Sequence, residues 1–303
     1  MKDITNEQEQ LGCRTAVALG VFDGVHLGHR MVIDKAVSLC GDMIKPAVFT
    51  FRSDTVVNKG SERLLSDKDK LRKLSQRGVE YVCSPDFADV RELSAEQFAK
   101  EILVGRLNIR YAVCGRDFRF GKGAEGNSDR LSELGRELGF ETVVLDKLLL
   151  GEETVSSTFI KEHIRRGEIV RANEMLGYRF AYREPVIHGR ELGRTWDFPT
   201  INQKLPESVV VPKFGVYCSR VKIDGRSFTG VTNIGIKPTV GREKAPLAET
   251  YIIGFNGDLY GKVVQVGLER FIRPEKKFDS TDELRRQIAA DTEDAARSDV
   301  IHF

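Results

Sequence analysis

The chain has 303 residues, enough for about two domains at roughly 100–200 residues each. Hydrophobic residues make up 41% and charged residues 30%, the balance of a soluble globular protein with ample material for cores. With 47 basic and 45 acidic residues the net charge is +2, so bulk charge gives no reason to expect nucleic acid as a partner, although local basic patches can still hold phosphates.

Residues 1–10 are polar and acidic and lack the apolar core of a secretory signal. No stretch approaches the ~18–20 uninterrupted apolar residues of a membrane span. A cytoplasmic protein with no membrane partner is expected. The cysteines, Cys13, Cys40, Cys83, Cys114 and Cys218, are odd in number, form no Cys-x-x-Cys and fall partly in apolar runs such as Tyr111–Cys114. That pattern predicts reduced, buried thiols rather than a disulfide or zinc site.

The first half alternates between two periodicities. Strand-like runs at 15–21, 46–51, 79–83, 110–114 and 141–145 are interleaved with helical spacing at 27–40, 67–76, 95–103 and 128–138. Such alternation predicts an α/β domain with a parallel sheet covered on both faces. After a helix around 169–176 the character changes. Strands are predicted at 214–223, 227–234, 249–255 and 262–271, with turn signals at His188-Gly189, Asp224-Gly225 and Asn256-Gly257-Asp258. One closing helix over 281–298 follows, with Ser280 as its N-cap and Glu283 three residues on. A small antiparallel β-barrel with a C-terminal helix is predicted, and the boundary between domains is placed at 180/181.

The most informative segment runs from Gly20 to His29, Gly-Val-Phe-Asp-Gly-Val-His-Leu-Gly-His, between an apolar strand and a helix. A helix start carries unpaired N–H groups and partial positive charge, so anions settle there. Glycines let the backbone approach a phosphate. His26 and His29, three apart, can lie near one anion, or they can simply cap the helix and face solvent. Gly121–Gly126 matches Gly-x-Gly-x-x-Gly, but no apolar strand precedes it, so it is read as a loop beside the nucleotide site. No Gly-x-x-x-x-Gly-Lys-Ser/Thr is present.

Phe22-Asp23-Gly24-x-His26-x-Gly28-His29 resembles the signature of the HxGH nucleotidyltransferases, and specifically of their flavin adenylyltransferase branch. Gly115-Arg116-Asp117-Phe118-Arg119-Phe120-Gly121 and Ser156-Ser157-Thr158 extend the resemblance over nearly all of the first domain. It implies a Rossmann-like sheet in which His26 and His29 stabilise charge during attack on an α-phosphate. Gly20, Phe22, Asp23, Gly24, Gly28, Asp117, Ser156, Ser157, Thr158 and Lys161 are the implied nucleotide-binding set. Two departures stand out. Arg52-Ser53-Asp54 occupies the place where family members often carry Pro-His-Pro, and Lys161 the place of an arginine, keeping the charge without its bidentate geometry.

A second constellation is Gly189-Arg190-Glu191-Leu192-Gly193-Arg194 followed by Phe198-Pro199-Thr200-Ile201-Asn202. A glycine-flanked basic loop can wrap phosphates, and Thr200 and Asn202 share a strand face with oxygens suited to Mg²⁺. From the local sequence alone, a hairpin loop and a polar strand face are the favoured reading. The order of motifs, continuing through Gly215-Val216-Tyr217, Asn233-Ile234-Gly235, Lys237-Pro238-Thr239 and Asp258-Leu259-Tyr260-Gly261, resembles riboflavin kinases from about Tyr182 to the end. That resemblance implies Gly189, Gly193 and Arg194 at ATP, Thr200 and Asn202 at Mg²⁺, and Glu249 as the base. Together the two halves resemble bacterial two-domain enzymes that convert riboflavin to FMN and FMN to FAD, with riboflavin, FMN and ATP as small-molecule partners. The departures keep an alternative open, a riboflavin kinase with a weak or differently specific N-terminal nucleotidyltransferase domain.

Overall fold

The computed structural model describes residues 1–7, 9–52, 62–188, 199–236 and 246–297. They form two compact units, Met1–Ser157 and Thr158–Phe303. The expected boundary at 180/181 separates the same two sheets; the helices Ser157–Arg166 and Ile169–Leu176 lie between those alternatives. Among the described residues no helix is long and apolar enough to cross a membrane.

The first unit is built on a six-stranded sheet of β1 (Lys2–Asp3), β2 (Arg14–Leu19), β3 (Ile44–Phe49), β4 (Tyr81–Cys83), β5 (Ile109–Gly115) and β6 (Glu141–Leu145). The spatial order is β1-β4-β3-β2-β5-β6 and every pairing is parallel. Alternate residues of β2 serve opposite layers. Val17 and Leu19 join Phe49, Phe98 and Leu131 on one face, while Ala16 and Ala18 join Ile33, Val48 and Leu74 on the other. Burial on both faces is why these strands read as nearly continuous apolar runs. The two-residue edge strand β1 escapes sequence reading because its pairing partner lies at Tyr81–Val82. The helix expected over 95–103 is instead one capped turn, Ala95–Gln97, leading into a π-helix, Phe98–Val104. A short hairpin, β7 (Leu149–Leu150) with β8 (Glu153–Thr154), completes the unit.

In the second unit, β9 (Ala181–Pro185), β10 (Thr200–Lys204), β11 (Gly215–Ile223), β12 (Arg226–Ile236), β13 (Pro246–Ile252) and β14 (Val263–Arg273) form an antiparallel sheet in the order β10-β13-β12-β11-β14-β9. It curls into a nearly closed barrel. The Ile187–Asn202 bridge and a bond from Gln203 Nε2 to the Glu184 carbonyl, 2.6 Å, draw the two end strands together. Asp224 and Gly225 both take positive φ, 46° and 79°, as the tight β11–β12 hairpin requires. Asn173, fully buried, ties the helix Ile169–Leu176 to the barrel by donating to Leu268 O and accepting from Phe180 N. The closing helix runs Thr281–Ala296. Ser280 Oγ accepts from Glu283 N, but the return arm of Glu283 goes to Asp279 N, one residue earlier than in a capping box.

Candidate active sites

In a parallel sheet the ligand crevice opens beyond the carboxyl ends of the strands, where successive connections leave in opposite directions. That switch point lies between β2 and β5, because β3 and β4 extend the sheet on one side before β5 returns to the other. A cavity of about 1130 Å³ opens there, with Leu19 and Gly20 beyond β2 and Gly115 and Asp117 beyond β5.

The β2 exit is a tightly wound loop. Phe22, Gly24 and Val25 all have positive φ (54°, 89° and 40°). Such conformations cost energy in non-glycine residues and persist where surrounding contacts enforce them. Three contacts do so. Asp23 Oδ1 accepts from Leu64 N at 2.8 Å, Asp23 O accepts from Ser157 Oγ at 2.8 Å, and Thr50 Oγ1 donates to Val21 O at 2.8 Å. Any side chain at Gly24 would be strained, since its φ is 89° and a Cβ would lie 2.6 Å from Leu64 Cδ1.

His26 caps the following helix, Leu27–Ser38, and its Nδ1 accepts from His29 N at 3.3 Å. The capping bond assigns its proton to Nε2. The two imidazoles stack with centroids 3.5 Å apart, and Phe22 meets His29 edge-on at 5.3 Å. Burial, with help from Arg30, pushes the His26 pKa down to about 4. Burial, then His26 and then Lys70, holds His29 well below the ordinary histidine range. Both rings are therefore neutral near pH 7. His29 Nδ1 is buried with no hydrogen-bond partner among the described residues, an uncommon condition for a buried polar atom and one suited to receiving a ligand group.

Much of the cavity wall is aromatic. Phe49, Phe51, Phe87, Phe98, Phe118 and Phe120 line it. Edge-to-face contacts link Phe51 to Phe49 and Phe87, both at 5.4 Å, and Phe49 to Phe98 at 5.0 Å, while Phe118 and Phe120 stack at 5.5 Å. The cavity thus combines a polar helix start with an apolar face of ring-sized extent.

On the barrel, strand register places the second set. Asn202 pairs with Glu249, and Glu249 pairs with Asn233 on the next strand. Directly paired residues project from the same face, as do residues two apart. Thr200, Asn202, Glu249, Tyr251 and Asn233 therefore share one face, opposite the buried interior row of Thr232, Thr250 and Ser219. Asn233 Nδ2 lies 3.5 Å from Glu275 Oε1 on that face. Beside it, Thr200, Ile201, Asp258 and Tyr260 line a recess of about 460 Å³.

Comparison with known proteins bears on both regions. The FAD synthetase family model matches residues 8–159 and the riboflavin kinase family model residues 176–298. A bifunctional riboflavin kinase/FMN adenylyltransferase of Listeria monocytogenes is 35% identical, over 92% of this chain and 90% of the relative. The Escherichia coli K12 protein of that name is 36% identical, over 94% and 92%. The chain belongs to the bifunctional riboflavin kinase/FMN adenylyltransferase family. Among solved structures, one described as a macrolide-efflux protein from Streptococcus pneumoniae is 28% identical and superposes with a TM-score of 0.88, over 98% of this chain and 99% of that one.

Within this family frame the expected site residues distribute as follows. Gly20, Phe22, His26, Gly28, His29, Asp117, Ser156 and Ser157 meet at the one cavity. Asp117 already holds a partner there, Lys147 Nζ at 3.1 Å. Asp23 and Gly24 do not line the cavity; they shape the loop. Thr158 and Lys161 sit on the helix Ser157–Arg166, within the second unit. Gly189, Gly193 and Arg194 lie outside the described residues, as do Ser53 and Asp54. Sequence reasoning had Phe118 and Phe120 within a motif but missed the wall as a whole, because Phe49, Phe51, Phe87 and Phe98 lie on separate segments that only the fold brings together. It also missed Lys70, only 2% exposed.

Proposed function

We propose that the protein phosphorylates the 5′-hydroxyl of riboflavin to give FMN and then adenylylates FMN to FAD, using ATP in both steps. Adenylyl transfer is assigned to residues 1–180 and the kinase step to 181–303. The observation that carries the first assignment is the stacked neutral pair His26–His29 at a helix start, in the same cavity as a row of phenylalanines. Matches to both family models, and bifunctional relatives, favour two activities over a kinase alone.

In the first domain the helix start, Gly28 and Ser157 receive the triphosphate of ATP. Neutral His26 and His29 donate hydrogen bonds to the α-phosphate as charge builds on its oxygens. The isoalloxazine packs against the phenylalanine wall, which presents the flavin phosphate to that centre. An FMN phosphate oxygen forms the new bond to the α-phosphorus, the bond to the β-phosphate oxygen breaks, and pyrophosphate leaves. No protein nucleophile is required.

In the barrel, Glu249 accepts the proton of the riboflavin hydroxyl as its oxygen bonds to the γ-phosphorus and ADP departs. Thr200 and Asn202 supply hard oxygen donors on the face that bears Glu249, a set that fits Mg²⁺. Bound there, Mg²⁺ would offset the charge of the ATP phosphates. Gly189, Gly193 and Arg194 are assigned to those phosphates as well.

Two variants test the division. His29→Ala is expected to lower FAD formation from FMN at least ~100-fold while riboflavin phosphorylation keeps its rate. Glu249→Gln is expected to lower FMN formation by about 10²–10⁴-fold and spare FAD formation when FMN is supplied. Loss of both activities in both folded variants contradicts the two-site assignment.

A further inference from the structure

Away from the helix starts, the cavity of the first unit holds few side chains that can accept a hydrogen bond. Among the described residues they are Glu92, Asp117 and Asp146. Each aspartate is matched by one cation, Asp117 by Lys147 Nζ at 3.1 Å and Asp146 by Arg116 Nε at 2.6 Å. Glu92 differs, because two cations flank it. Lys122 Nζ lies 3.0 Å from its Oε2, and Arg91 Nε lies 3.4 Å from its Oε1. All three side chains line the cavity. The bond from Lys122 holds the Glu92 carboxyl below the ordinary carboxylate range, so it stands there as an anionic acceptor.

Main-chain bonds bring the trio together from two segments. Lys122 N donates to Leu93 O at 2.7 Å, and Ala95 N donates to Glu125 Oε1 at 2.7 Å. Gly121 permits the close approach, since its φ is 75° and a Cβ there would lie 2.8 Å from Ala95 N. The same two stretches of chain carry part of the apolar wall: Phe87, edge-on to Phe51, and the stacked rings of Phe118 and Phe120. The three charged side chains are each more than half exposed. Ion pairs so exposed add little to stability, so folding does not account for their place beside the wall.

The pattern has a chemical complement. Each member keeps donors or lone pairs to spare after pairing with the others, so Arg91, Glu92 and Lys122 present donor, acceptor, donor. The pyrimidine edge of an isoalloxazine presents acceptor, donor, acceptor: the C2 carbonyl, the N3–H and the C4 carbonyl. Resting on the adenylyl-transfer reading above, we propose that Arg91, Glu92 and Lys122 are the specificity site for the flavin ring of FMN, with Glu92 accepting from N3–H and the two cations donating to the flanking carbonyls. A phosphate held by the two cations is the competing occupant, and it predicts the opposite response to loss of Glu92.

The test compares FMN with N3-methyl-FMN as substrates for FAD formation. The methyl group removes the N3–H donor and leaves the phosphate untouched. The wild type should use the methylated flavin about tenfold less efficiently, because an anionic acceptor is then left without its partner. With unfolding midpoint and riboflavin kinase rate as controls, Glu92→Ala should raise the KM for FMN about tenfold at unchanged kcat and unchanged KM for ATP, and should use the two flavins within about twofold of each other. The proposal is overturned if Glu92→Ala has the wild-type KM for FMN, if the wild type does not distinguish the two flavins, or if the variant distinguishes them as well as the wild type does. A lower KM for FMN in Glu92→Ala would also overturn it, and would give the freed cations to the phosphate. Failure of the wild-type protein to make FAD from FMN and ATP would instead overturn the function on which the proposal rests.

Discussion

A neutral, buried His26 carries a thermodynamic signature in acid. In the unfolded chain a histidine titrates near 6.5; in the folded protein burial moves His26 to about 4. Between those values the unfolded chain binds a proton that the folded one does not, so stability falls as pH falls. Above pH 6.5 both forms are neutral and the penalty vanishes; below pH 4 both are protonated and it levels off. A shift from 6.5 to about 4 is worth roughly 3 kcal/mol in full, and about 2 kcal/mol of it should appear between pH 7 and pH 5. His29 adds to this in the same direction. The perturbation that isolates the effect is His26→Asn, because asparagine is a good N-cap and does not titrate. Urea unfolding followed by circular dichroism, at pH 7 and pH 5, should show the variant losing about 2 kcal/mol less than the wild type on acidification. Equal losses in the two proteins would refute a neutral buried His26, and with it the hydrogen-bonding role given to the pair.

Gly24→Ala should destabilise the first unit by about 1–3 kcal/mol, read as a fall in unfolding midpoint, because φ is 89° and the new Cβ meets Leu64. Chelation by EDTA should stop FMN formation, with recovery on adding excess Mg²⁺; full activity in EDTA would remove the role given to Thr200 and Asn202.

Local features of the fold were legible and non-local ones were not. Strand–helix alternation in the first half follows from doubly buried parallel strands, and the Asp224-Gly225 turn from residues that tolerate positive φ. The shared face of Thr200 and Asn202 follows from the two-residue period alone. That Glu249 stands opposite Asn202 needed the β10–β13 register, which no local pattern encodes. The π-helix at Phe98–Val104 was hidden because its apolar residues also fit ordinary helical spacing. Asp23 was expected at the nucleotide, but its side-chain oxygen is committed to Leu64 N, 41 residues onward. The neutrality of the histidines is likewise a product of burial, with Arg30 adding at His26 and then His26 and Lys70 at His29, visible only once these segments are assembled.

The most direct test of the central claim is one chromatographic time course of the purified protein with riboflavin, ATP and Mg²⁺. The account predicts that FMN accumulates first and is then converted to FAD. A time course that stops at FMN, with no FAD when FMN itself is supplied, would contradict it.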